Sequence, residues 1–152
     1  MRLTNCVAAV LLLASGITAC DRPALSQRVT VEQAWVQLPV MAGRPGAAYF
    51  LLRSKSQEGY LTGVTSPSIG RIELHETRTV NGVSRMTPLQ RVSFDDIGEI
   101  EFRPAGKHAM LFEVDSSVKP GDKISLTFSF ESAPPVTAEA EVRAFGEGHG
   151  GH

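Results

Sequence analysis

Cysteine is nearly absent from this chain, with two residues in 152, Cys6 and Cys20. Two cysteines build neither a disulfide framework nor a cysteine-rich zinc module. A basic excess is missing too: 15 Lys and Arg stand against 16 Asp and Glu, for a formal net charge of −1. Nucleic-acid binders carry a basic footprint, so no nucleic-acid partner is expected. The one long apolar run, at residues 7–14, is too short to span a bilayer. Enzyme signatures are also lacking. There is no Gly-x-Ser-x-Gly, no His-Glu-x-x-His and no pattern for a triad of two histidines and a carboxylate, and no enzymatic activity is expected. What remains is 42% hydrophobic and 20% charged, the composition of one globular domain long enough to bury a core unaided.

Residues 1–20, MRLTNCVAAVLLLASGITAC, read as a targeting segment: Arg2 gives a positive start, a short apolar centre follows, then small residues. Its end, Ile17-Thr18-Ala19-Cys20, resembles the bacterial lipobox, in which cleavage precedes a cysteine that carries lipid. The alternative is an ordinary signal peptide with a chance cysteine. On the lipobox reading, residues 1–19 are a signal peptide and 20–27 a lipidated tether. Residues 28–145 then form the working domain, and 146–152 a flexible Gly/His-rich tail. Such a protein is periplasmic and held to a membrane by its lipid. Asp21 resembles the signal that retains some bacterial lipoproteins at the inner membrane. Cleavage removes Cys6 and lipid occupies Cys20, so the domain has no free thiol.

The domain reads as strands separated by turns, with no sustained helical period. A strand starts at Val29 and continues, after a phase change near Gln33, through Ala34, Val36 and Leu38. Residues 47–53, AAYFLLR, are nearly continuous in apolar character, as in a strand buried on both faces. Residues 71–77 and 97–103 alternate. Ile124, Leu126, Phe128 and Phe130 face one way and Lys123, Ser125, Thr127 and Ser129 the other; Val136, Ala138, Ala140 and Val142 repeat the pattern. Pro104-Ala105-Gly106 and Pro120-Gly121-Asp122 are turns. Seven or more such strands predict an all-β antiparallel sandwich or Greek-key barrel. Trp35 and Tyr49 are expected in its core.

Val80-Asn81-Gly82-Val83 is a hairpin signal, because Asn-Gly fits a type I′ turn. With a two-residue loop, Val80 pairs with Val83 and Thr77 with Met86, which makes His75 and Met86 diagonal neighbours. Ile72 and Leu74 take one face of that strand, leaving Arg71, Glu73 and His75 on the polar one. His108-Ala109-Met110 sets an imidazole and a thioether on one face of another strand. Together these are two neutral nitrogen and two neutral sulfur donors. Thioethers favour Cu(I), imidazole suits copper in either state, and methionine binds Cu(I) without forming disulfides. Ca²⁺ and Mg²⁺ want oxygen ligands, and zinc normally recruits a thiolate, a carboxylate or a third histidine. A blue-copper centre needs a cysteine that the domain lacks. Spacing alone leaves two readings open: a four-ligand site, or core methionines beside surface histidines.

The spacing H-x10-M-x21-H-x-M over His75, Met86, His108 and Met110 resembles that of the periplasmic copper(A) chaperone family, PCu(A)C. The flanks agree: AWV at 34–36, PGAAYF at 45–50, ELHET at 73–77, HAML at 108–111 and KPGDKISLTFSFE at 119–131. The resemblance runs over residues 29–145. It implies a cupredoxin-like, immunoglobulin-like antiparallel Greek-key β-sandwich with an exposed Cu(I) site, and a carrier that supplies the binuclear copper centre of cytochrome c oxidase subunit II alongside a Sco-type thiol protein. Two flanking positions depart from the family. Lys107 stands where an aromatic residue often precedes the first histidine of the H-x-M pair, and Glu76 where some members carry methionine. His149 and His152 in the tail resemble the His-rich extensions of some members and suit an auxiliary Cu(II) arm. A monomer is expected, and Met41 is left outside the site. The competing readings are a general copper-binding, storage or tolerance protein and a metal-free β-sandwich assembly module.

Overall fold

Ten strands and no helix make up the fold among the described residues. The computed structural model describes residues 29–41, 43–55, 59–131 and 133–146. The signal segment, Cys20 with its tether, and the tail histidines His149 and His152 lie outside them. In chain order the strands are β1 (Val29–Gln37), β2 (Gly46–Ser54), β3 (Tyr60–Thr65), β4 (Ile69–Val80) and β5 (Val83–Pro88). They continue as β6 (Val92–Ser93), β7 (Glu99–Phe102), β8 (Lys107–Val114), β9 (Lys123–Phe130) and β10 (Val136–Arg143). Hydrogen bonding links them in the order β5-β4-β8-β2-β1-β10-β9-β3-β6, with β7 joined to β2. One pair departs from the antiparallel expectation: β1 and β10 run parallel. No hairpin joins these two strands, since nearly the whole domain separates them, so turn geometry does not dictate their direction.

The branch at β2 organises the interior. Its first residues pair with β8 and its later ones with β7, while its other edge pairs with β1. As the apolar run predicts, Ala48, Tyr49, Phe50 and Leu52 are all buried. Phe50 stacks on Phe102 at a centroid distance of 4.3 Å and meets Phe128 edge-on at 4.8 Å. Leu61, Ile100, Leu111, Leu126, Val36 and Val142 are fully buried around them. The alternation expected in β9 and β10 holds, with Ile124, Leu126, Phe128, Ala140 and Val142 inside.

The phase change in β1 is a bulge. Its register to β2 shifts between Glu32 and Trp35, and Gln33 takes a φ of 51°. Beyond it, Val36 opposes Ala48 and both are buried, so the adjacent pair Trp35 and Tyr49 lies on the opposite face. Trp35 therefore stays outside the interior cluster, contrary to the sequence expectation, while Tyr49 beside it is buried as expected. They pack on one another at 4.4 Å, and the Arg143 guanidinium sits 4.9 Å over Trp35. Burial pushes the Tyr49 phenol above its ordinary pKa.

The predicted hairpin forms in its predicted register, with Val80 opposite Val83 and Thr77 opposite Met86. Asn81 and Gly82 take φ values of 52° and 77°, the left-handed pair that a type I′ turn requires. A Cβ on Gly82 meets nothing within 4 Å, so only backbone strain opposes it. Gly82→Ala should therefore cost about 1–2 kcal/mol in urea unfolding. Phe50→Ala, which empties the centre of the interior, should cost about 3–5 kcal/mol by the same measurement.

Candidate metal centre

The four predicted ligands come from three adjacent strands: His75 from β4, Met86 from β5, His108 and Met110 from β8. The hairpin sets His75 opposite Pro88 and Met86 opposite Thr77, so His75 and Met86 are diagonal neighbours. On its other edge β4 pairs with β8. There His75 lies directly opposite His108, and Glu73 opposite Met110. Residues directly opposed across strands share a face. All four candidates therefore lie on one face, with the other three each within one register step of His75. The opposite face carries Leu74 against Ala109 and Ile72 against Leu111, of which Leu74, Ala109 and Leu111 are buried.

The two imidazoles are well enclosed. The His75 side chain is 13% exposed and His108 9%, whereas Met86 is 49% exposed. Their ring centroids stand 6.1 Å apart. Hydrogen bonding then distinguishes the nitrogens. His108 Nδ1 lies 3.0 Å from the Gly106 carbonyl oxygen, which can only accept, so Nδ1 carries the proton and Nε2 keeps its lone pair. His75 is the reverse: Nε2 lies 3.1 Å from a Glu73 carboxylate oxygen, and Nδ1 is buried without a partner. A buried polar atom without a partner is uncommon in a folded protein. The ring that carries it lies beside that of His108, and an incoming ion would satisfy it.

Among the described residues no three His, Cys, Asp or Glu side chains gather closely enough to hold a metal. Beyond the imidazole pair, further ligands in this neighbourhood fall to the thioethers. Lys107 pairs with Glu76, one position along from the histidine pair and hence on the other face. Its charge does not share the face of the candidate ligands. His108 and Met110 line a shallow cleft with Pro39, Val40, Pro45 and Phe145. Met41 is 60% exposed in the loop beside that cleft but does not line it. Two groups that touch the imidazoles escaped the sequence reading as contributors: the Gly106 carbonyl and Glu73. The period of two does put Glu73 on the face of His75; the Gly106 contact leaves no side-chain signal.

The family model described as "Putative lipoprotein LpqE-like" matches residues 29–142. "Putative lipoprotein Lxx21020" of Leifsonia xyli subsp. xyli is 30% identical over 149 residues, covering 91% of this chain and 87% of its own. In fold, the chain is similar to the copper-bound PCuAC domain from PmoF2, at a TM-score of 0.63 and 20% identity over 77% of this chain and 93% of that one. It is also similar to DR1885 from Deinococcus radiodurans. The apo solution structure gives a TM-score of 0.58 at 22% identity over 94% and 95% of the two chains. The Cu(I) form gives 0.52 at 23% over 82% and 81%. The β-sandwich expected from the sequence is thus the fold of these domains. The chain belongs to the LpqE-like lipoprotein family, and it shares its fold with PCuAC domains.

Proposed function

We propose that this chain is a copper chaperone that carries Cu(I) outside the cytoplasm on His75, Met86, His108 and Met110, and that it catalyses no reaction. The carrying observation is the register that opposes His75 to His108 and keeps Met86 and Met110 one step away on the same face. The unpartnered, buried Nδ1 of His75 supports it. Two imidazoles and two thioethers form a neutral, soft donor set suited to Cu(I). The likeness in fold to copper-bound domains points the same way. Lipid on Cys20, an anchor that the lipoprotein names of its family support, would hold the protein to a membrane in the periplasm, and Asp21 favours the inner one. The resemblance of the ligand pattern makes the binuclear copper centre of cytochrome c oxidase subunit II the proposed destination, with a Sco-type thiol protein as co-worker. The tail histidines His149 and His152 would serve as an auxiliary Cu(II) arm. Phe145, shortly before them in the chain, lines the cleft at His108 and Met110.

Copper is cargo here, so release matters as much as capture. Met86 sits on the edge strand β5 and is the most exposed of the four. An acceptor thiol can displace it while the enclosed imidazoles keep hold, and the ion is never free in solution. Titration of Cu(I) against a chromogenic chelator should show one ion per chain, with competition largely lost in His108→Ala and weakened but still measurable in Met86→Ala. No competition by the native chain would overturn the carrier reading in favour of a metal-free module. Because protons compete with metal for imidazole nitrogen, affinity should fall as the pH falls from 8 to 5. A flat profile would exclude imidazole ligation. In stopped-flow transfer to a dithiol, Met86→Ala should release copper faster than Met110→Ala; equal rates would overturn the proposed order of release.

A further inference from the structure

We propose that Glu73, clamped by Arg71, is a positioning residue that selects the ligating nitrogen of His75 and strengthens the hold of that imidazole on copper. The proposal rests on the carrier reading above and adds a control element to it. Arg71, Glu73 and His75 follow one another at every second position of β4 and share the ligand face. One Glu73 carboxylate oxygen accepts from Arg71 Nη1, and the other lies 3.1 Å from His75 Nε2. Arg71 is itself fixed, with its guanidinium 4.0 Å over the ring of Phe112, its register partner on β8. The carboxylate thus lies between the guanidinium and the imidazole, with its side chain 40% exposed.

A neutral imidazole has one donor and one acceptor nitrogen. An ionised carboxylate only accepts, so it draws the proton to Nε2 and leaves the lone pair of His75 on Nδ1. Nδ1 is the buried atom that lacks a partner. His108 is set the opposite way by a neutral acceptor, the Gly106 carbonyl. The two imidazoles therefore offer different nitrogens, and they are unequal in strength. A carboxylate behind a metal-bound imidazole raises its basicity more than a carbonyl does. Arg71 moderates this by sharing the carboxylate's charge.

The test uses the full chain with ¹⁵N-labelled histidine, first without metal at pH 8. Long-range ¹H–¹⁵N correlation spectra should show His75 protonated on Nε2 and His108 on Nδ1. Glu73→Ala should turn His75 into a mixture of tautomers and leave His108 unchanged. Glu73→Gln keeps an accepting oxygen and should restore the Nε2–H form. Cu(I) affinity should drop about 10–100-fold in Glu73→Ala and by a smaller factor in Glu73→Gln, where only the charge is lost. A His75 protonated on Nδ1 in the native chain, or a tautomer unmoved by Glu73→Ala, would overturn the proposal. Failure of the native chain to bind Cu(I) would instead overturn the carrier reading, because the metal-free spectra judge the role of Glu73 by themselves.

Discussion

The pairing of β4 with β8 is the constraint on which both the interior and the candidate centre depend. Leu74 and Ile72 oppose Ala109 and Leu111 on the inner face, while His75 and Glu73 oppose His108 and Met110 on the outer one. A slip of one residue would exchange the two faces, driving imidazole and carboxylate inward and apolar side chains into water. Burying a leucine is worth about 1.5–3 kcal/mol. The wrong register is therefore excluded by the hydrophobic core rather than by any affinity for metal. The chain needs no copper to bring its two histidines together, because the packing beneath them has already done so.

That arrangement separates holding from yielding. His75 and His108 belong to strands with neighbours on both sides and lie mostly enclosed, each with one ring nitrogen fixed by a hydrogen bond. Met86 belongs to an edge strand whose residues are all exposed. Interior strands open rarely and edges readily, since local stability follows burial and contact density. A thioether on such an edge costs little to displace. The proposed site thus combines two positioned nitrogens with one easily moved sulfur, as a carrier requires.

Much of this was legible in the sequence because it rested on local rules. Asn81-Gly82 set the hairpin and hence the Thr77–Met86 register; alternation set the buried faces of β9 and β10; the phase change at Gln33 was a real bulge. Other features were not legible. β3 escaped notice because its register shifts between Leu61 and Gly63, which breaks the alternation that marks a strand. Trp35 looked like a core residue by type, yet beyond the bulge in β1 it lies on the face opposite the buried Val36 and stays outside the interior cluster. The opposition of His75 to His108 lies across strands far apart in the chain, and no local pattern reports a long-range pairing. The spacing of the four ligand types identified them together only through resemblance to a family.

The parallel pairing of β1 with β10 gives the domain a polarity. β1 starts at Val29, and its far end, Gln37, aligns with Arg143 near the end of β10 and through Ala47 with Met110. The chain thus enters the sheet at one end and leaves it at the other, about 25 Å away at roughly 3.3 Å per residue of strand. An antiparallel pair would have brought both termini to the same side. With lipid on Cys20, the bilayer would pull on the entry end, where the tip of the β4–β5 hairpin also lies. The exit end, carrying the row of Met110 and the start of the histidine-bearing tail, would face away from the membrane. The row of Met110 would then be reached from open solvent rather than from the bilayer surface.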